Sequence, residues 1–186
     1  MQTYEAILTR RSVPKVTQQE PTREQIEKLL AAAVRAPNHH LTQPWRFIVL
    51  RGEALREFGD AWGAGEARLG KNADAARTKA LRAPVIICVI ERPKTDHAIV
   101  VEVEEHHATG AAIQNILLAA HDMGLGAMIR TGVSARLEEV RDYLGLEDDE
   151  LVAGFIYLGF PPEGDSDRPM SRRRPASEVT EWRGWA

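Results

Sequence analysis

Val85-Ile86-Ile87-Cys88-Val89-Ile90, entered through Pro84, is an unbroken apolar run. A strand with one wet face alternates apolar and polar side chains, whereas a strand covered on both faces has no need to. The run therefore predicts a strand over 85–90 at the centre of a layered structure. Three further stretches read as strands, at 46–50, 125–131 and 151–158, the last closed by Gly159-Phe160-Pro161-Pro162.

Between these strands the apolar spacing is helical. Residues 3–9 form a short helix ending at Arg10-Arg11, and Pro14 and Pro21 then punctuate an extended connection. Thr22 followed by Gln25 is a capping box, in which each side chain satisfies a free backbone N–H at the start of a helix. Ile26, Leu29, Leu30, Ala33 and Val34 repeat at helical spacing and give that helix one core face, until Arg35-Ala36-Pro37 stops it. The stretch 52–80 reads as two helical pieces interrupted at Gly59, Gly63, Gly65 and Gly70. The longest helix is expected over 97–123, with small residues (Ala108, Gly110, Ala111, Ala112, Ala119, Ala120) that allow close approach, and Gly124 as its stop. Ser134 is expected to cap a further helix with Leu137, Val140 and Leu144 inward. Glu147-Asp148-Asp149-Glu150 reads as a solvated turn. Helices and strands interleave without a repeat or a long linker, so the class is α+β, three-layer α/β/α with a central sheet, in one domain spanning 1–186.

The 186 residues can bury a sizeable core without disulfides, and a net charge of -3 gives no global basic field for nucleic acid. Cys88 is the single cysteine and lies in the apolar run, so it reads as an inert buried thiol in a reducing, cytoplasmic setting. No apolar run approaches the roughly 20 residues of a membrane span, and no basic-then-apolar leader is seen at the start.

Chemistry concentrates at two helix ends. Arg10-Arg11-Ser12 offers two guanidinium forks and a hydroxyl, which suit a phosphate, although the arginines also complement the dipole of the helix they follow. Arg35-Ala36-Pro37-Asn38-His39-His40-Leu41-Thr42-Gln43-Pro44-Trp45 holds a histidine pair between two prolines, and Thr42 and Gln43 can bond a heteroaromatic edge; it suits a stiff ligand loop or a structural one. A P-loop is absent, and Gly63-Ala64-Gly65 follows no strand and lacks the third glycine of a dinucleotide fingerprint. Glu102, Glu105, His106 and His107, with His97 nearby, raise a metal site, but without a cysteine or a His-Glu-x-x-His pattern; an exposed, charged helix start near a site mouth is the simpler reading.

Five features together resemble the nitroreductase family of FMN-dependent NAD(P)H oxidoreductases, in its short branch. They are Arg10-Arg11-Ser12, Arg35-Ala36-Pro37-x-His39, Gln43-Pro44-Trp45, Gly124-Leu125-Gly126, and Tyr157-Leu158-Gly159-x-Pro161 before a basic tail. The resemblance implies a mixed sheet flanked by helices and an intertwined homodimer with FMN at the subunit interface. It implies that Arg10, Arg11 and Ser12 hold the phosphate and ribityl region, with Arg35 and His39 from the other subunit or the opposite wall of the same site. Gln43 joins these cofactor-binding residues. Ile129, Arg130 and Thr131 would contact the flavin, isoleucine standing where that branch commonly has tryptophan, and Arg173 of Arg172-Arg173-Arg174 would reach the phosphate. Residues 119–124 match a nicotinamide-contacting stretch. The implied reaction is ping-pong hydride transfer from NADH or NADPH through FMN to a nitroaromatic, quinone or similar flat acceptor. The chemistry rests on the cofactor rather than on a catalytic side chain. A flavin-binding, sensing or flavin-consuming protein of the same fold is the alternative.

Overall fold

A computed structural model describes residues 2–94, 99–165 and 169–185. In chain order the elements are α1 (Thr3–Thr9), α2 (Arg23–Ala33), β1 (Trp45–Arg51), α3 (Glu53–Arg68), α4 (Ala73–Ala80), β2 (Val85–Glu91), α5 (Glu102–Asp122), β3 (Gly126–Arg130), α6 (Glu138–Tyr143) and β4 (Leu151–Gly159). The strands lie in the order β1-β2-β4-β3.

Every residue of β2 is buried. Its odd-numbered Val85, Ile87 and Val89 face α2 and α5 in one core, with Leu29, Ala33, Ala112, Ile116 and Ala120. Its even-numbered Ile86, Cys88 and Ile90 face α3, α4 and α6 in the other, with Phe58, Ala80, Val140 and Phe155. The apolar run thus lacks alternation because helices cover both faces, and three layers result. Burial pushes the Cys88 thiol up to about 12, which leaves it an unreactive core residue.

The sheet departs from the mixed one that the resemblance implied. All three described pairings, β1 with β2, β2 with β4 and β3 with β4, are antiparallel. The reason is topological. The helix pair α3–α4 returns the chain to the end of the sheet where β1 finished, so β2 runs back along it. The single helix α5 then makes β3 point the same way as β2, but β4 inserts between them, and no parallel pair forms among the described residues.

Local expectations are corrected in four places. Gly59, Gly63 and Gly65 do not interrupt α3; only the turn around Gly70, at φ 71°, does. The three are contact points instead: a Cβ at Gly59 would lie 3.3 Å from Ala80 Cβ, one at Gly63 3.2 Å from the Ala73 carbonyl oxygen, and one at Gly65 2.9 Å from Leu137 Cδ1. Ser134 does not cap α6, which starts at Glu138 behind Leu137; Ser134 is buried in the preceding 3-10 turn Val133–Arg136. The acidic run is not merely solvated, because Glu150 is buried and takes Arg46 on both oxygens, at 2.6 Å and 2.7 Å. Finally, α5 starts at Glu102 rather than at His97, which lies outside the described residues.

The Thr22–Gln25 capping box is formed reciprocally, at 3.2 Å and 2.9 Å. Gly126 and Gly159 are cross-strand partners on β3 and β4. The segment after α1 lies on this pair: the Val13 N–H donates to the Ala127 carbonyl at 3.0 Å. A Cβ at Gly126 would fall 2.9 Å from Val16 Cγ1 and 3.0 Å from Val13 Cγ1, and one at Gly159 2.9 Å from Val16 Cγ2. Overpacking of this kind costs about 1–3 kcal/mol. Gly126→Ala and Gly159→Ala are therefore expected to lower the chemical denaturation midpoint. Gly110→Ala, where a Cβ meets open space on helix α5, is expected to raise stability by about 0.5–1 kcal/mol.

Candidate functional site

The placement of Val13 on the sheet fixes Arg10-Arg11-Ser12 at the rim of a cavity of about 720 Å³. Ile7 and Leu8 of α1, Met128 of β3, and Met170 and Arg173 of the tail complete its wall. Arg173, and neither Arg172 nor Arg174, is the arginine of the basic tail on that wall. Arg10 is half-buried, and its guanidinium is held below the usual arginine range, first by burial and then by the charge of Arg173. Two like charges brought together in a cleft destabilise one another until an anion sits between them. Arg11 donates to the Asp165 carbonyl and reaches Asp165 Oδ2 at 3.2 Å, which fixes its direction.

His121, at the end of α5, lies beside this cleft, its Nε2 2.8 Å from Thr9 Oγ1. Its pKa is lowered by burial and then by Arg10 and Arg11, against the opposing pull of Asp122 and Glu5. The neighbouring stretch 119–124 contributes Ala119 and Asp122 to a small cavity of about 190 Å³ against α1.

Ile129, Arg130 and Thr131 line a second cavity, of about 570 Å³, that shares Met128 with the first. Side chains alternate along β3, so Ile129 turns into the core over Gly154, where a Cβ would stand 2.8 Å from its Cδ1. The Arg130 guanidinium carbon sits 5.3 Å from the Tyr157 ring centroid, and its buried Nε has no hydrogen-bond partner among the described residues.

Arg35 and Gln43 lie elsewhere, in a cavity of about 530 Å³ with Asn38 and Leu41. Within one chain they do not share a wall with Arg10, so a single subunit does not build the opposite-wall version of the site. His39 is half-exposed on the adjoining 3-10 turn His39–Leu41, with Nε2 3.9 Å from Glu104 Oε2. The loop is held under strain: His40, Leu41 and Gln43 have φ of 49°, 55° and 49°, a region non-glycine residues rarely enter.

Glu105 holds that loop down. Fully buried, it accepts the Thr42 hydroxyl at 2.7 Å on one oxygen and the Lys94 N–H at 3.1 Å on the other. This corrects the reading of the α5 start as an exposed charged end. Glu91 is also buried and bonds His106 Nδ1, while His106 Nε2 stands 3.6 Å from Glu102. Among the described residues no group of three or more His, Cys, Asp or Glu side chains is placed to hold a metal ion. Glu105 could have been found from spacing, since it falls on the same helical stripe as Ala108, Ala112 and Ile116. Met128 carried a similar signal, two residues before Arg130 on one face of a strand. Met170 and His121 carried none.

The model of the nitroreductase family matches residues 7–160, and the chain belongs to that family. A relative from Escherichia coli K12, described as "Putative NAD(P)H nitroreductase YdjA", is 34% identical over 164 residues, covering 87% of this chain and 89% of the relative. Among solved structures, a nitroreductase-like family protein from Bacillus cereus superposes with a TM-score of 0.87 at 24% identity, covering 100% of this chain and 97% of the other, a likeness of fold. A protein from Desulfovibrio desulfuricans, described as "a putative nitroreductase in complex with fmn", gives a TM-score of 0.77 at 29% identity, covering 100% and 99%.

Leaving a buried donor unpaired costs about 1–3 kcal/mol. Glu105→Ala strands both Thr42 and Lys94, so it is expected to lower the unfolding midpoint and to speed amide hydrogen exchange selectively across residues 38–43. Unchanged exchange there would show that the strained loop holds itself.

Proposed function

We propose that this chain is an FMN-dependent NAD(P)H oxidoreductase that works as a homodimer in the cytoplasm, reducing nitroaromatic, quinone or similarly flat acceptors. The observation that carries the reading is the convergence of Arg10 and Arg173, with Arg11 and Ser12, on one cleft. Their donors suit a phosphate monoester, and the like charges are relieved by one. FMN-bound and NAD(P)H-named relatives of the same family support the identity of the ligand.

When bound, FMN supplies hydride chemistry at its N5, accepting two electrons from NADH or NADPH and passing them to the acceptor. The chain's own residues bind, orient and set charge. Arg10, Arg11, Ser12 and Arg173 hold the phosphate and ribityl end, and Ile129, Arg130 and Thr131 form the wall beyond Met128. Arg35, His39 and Gln43 complete the site from the partner subunit, where Arg35 and His39 favour negative charge on a bound ring. Reductant and acceptor would use the site in turn, the order of a ping-pong reaction. Two features support the dimer. Tyr4, Ile7 and Leu8 leave an apolar face of α1 exposed, and the exposed tail carries Trp182 and Trp185 with ring centroids 5.5 Å apart. Apolar surface of this extent is commonly covered by a partner.

The purified protein is expected to show a flavin absorption spectrum, or to gain one when FMN is added, and to elute as a dimer in light scattering. A colourless protein that takes up no FMN overturns the reading. A charge-assisted hydrogen bond is worth about 1.5–3 kcal/mol, so Arg10→Ala and Arg173→Ala should each weaken FMN binding by about tenfold or more, and Arg172→Ala should not. Burial depresses His121 most and the charges of Arg10 and Arg11 add to it; phosphate offsets that second part, so its pKa, followed by NMR, is expected to rise on FMN addition. Anaerobic NADH or NADPH should bleach the flavin rapidly; no bleaching with either would favour the sensing or flavin-consuming alternative.

A further inference from the structure

The second cavity carries charge that the fold does not neutralise. Lys71, Lys79, Arg82 and Arg130 converge on it, and among the described residues Glu66 is the one carboxylate on its wall. Glu66 is already engaged, with Lys71 Nζ at 3.3 Å and the Trp62 indole N–H at 3.3 Å. By contrast, Arg46, Arg68, Arg77 and Arg92 each hold a carboxylate at 2.6–2.8 Å. Here aromatic faces take that place. Arg130 stands over Tyr157, and Lys79 Nζ lies 5.8 Å from the Trp62 ring centroid. A cation–π contact positions a cation without cancelling its charge. Arg82 adds to this field, since with Arg130 it opposes the burial that pushes the Tyr157 hydroxyl up to about 12.

The excess charge, the partnerless Arg130 Nε and the aromatic wall describe a site for a dianion carried on a ring-bearing molecule. A volume of about 570 Å³ is far more than a bare phosphate fills and falls in the range of organic-ligand pockets. Met128 lines both this cavity and the Arg10 cleft, so the two lie side by side.

We propose that this cavity binds the phosphomonoester of a nucleotide, the adenosine 2′-phosphate end of NADPH, and so makes the phosphorylated dinucleotide the preferred reductant. Lys79 and Arg82 grip the phosphate, and Arg130 closes on it from β3. The reductant preference rests on the oxidoreductase reading above; the nucleotide site itself does not.

Calorimetric titration of the purified protein, with and without FMN, by 2′,5′-ADP, 5′-AMP and inorganic phosphate separates these. The expected result is that 2′,5′-ADP binds about tenfold or more tightly than 5′-AMP or phosphate, and that Lys79→Ala and Arg82→Ala each weaken it by about tenfold. Both variants should keep the parent's melting temperature and FMN content, and should raise KM for NADPH but not for NADH, with kcat unchanged. Equal binding of 2′,5′-ADP and 5′-AMP, or variants that bind 2′,5′-ADP as the parent does, overturns the proposal. Inorganic phosphate binding as tightly as 2′,5′-ADP reduces the cavity to a bare anion site and overturns it as well. Nucleotide binding to a protein that takes up no flavin would leave the site standing while the oxidoreductase reading falls.

Discussion

The cross-strand pair Gly126–Gly159 is the constraint on which the rest of the site depends. With no Cβ on either residue, Val13 and Val16 settle directly on the sheet edge, and the Val13 N–H reaches the Ala127 carbonyl. That contact determines where the three preceding residues emerge, and therefore where Arg10, Arg11 and Ser12 meet Arg173. Two of the recurring short motifs, Gly124-Leu125-Gly126 and Tyr157-Leu158-Gly159, thus share one physical purpose. They clear a seat for the segment that carries Arg10, Arg11 and Ser12.

Electrostatics then divides the molecule into two kinds of surface. On one kind, arginines are matched to carboxylates, as Arg46 is to the buried Glu150 and Arg68 to Glu139. Around Met128 the matching fails on both sides: Arg10 faces Arg173 in one cavity, and four cations share a single carboxylate in the next. Holding like charges together costs stability that a folded chain recovers only when an anion binds. The strained loop at His40, Leu41 and Gln43 is a third such investment, held down by the buried Glu105.

Much of the fold was legible because its signals are local. The unbroken run at 85–90, the Thr22–Gln25 box and the helical stripe through Ile26, Leu29 and Ala33 each specify an element through their immediate neighbours. The glycines of α3 misled because a glycine that breaks a helix and one that admits a neighbouring helix look alike in sequence; only the position of Ala80 and Leu137 tells them apart. Glu105 misled for a related reason. A carboxylate on a core stripe is read as exposed unless its distant partners, Thr42 and Lys94, are known.

The sequence by itself determined the layered class, the element order, the family, and the residue types able to hold a phosphate, because spacing and short motifs encode these over a few residues. Only the tertiary structure decided that the described strand pairings are all antiparallel, since β4 comes to lie between β2 and β3. It also decided that Arg173 rather than its neighbours faces Arg10, that Arg35 and Gln43 open on a separate cavity, and that Lys71, Lys79 and Arg82 join Arg130. Those outcomes bring together residues far apart along the chain. Strand order and the packing of helices on the sheet set such meetings, and no window of sequence contains them.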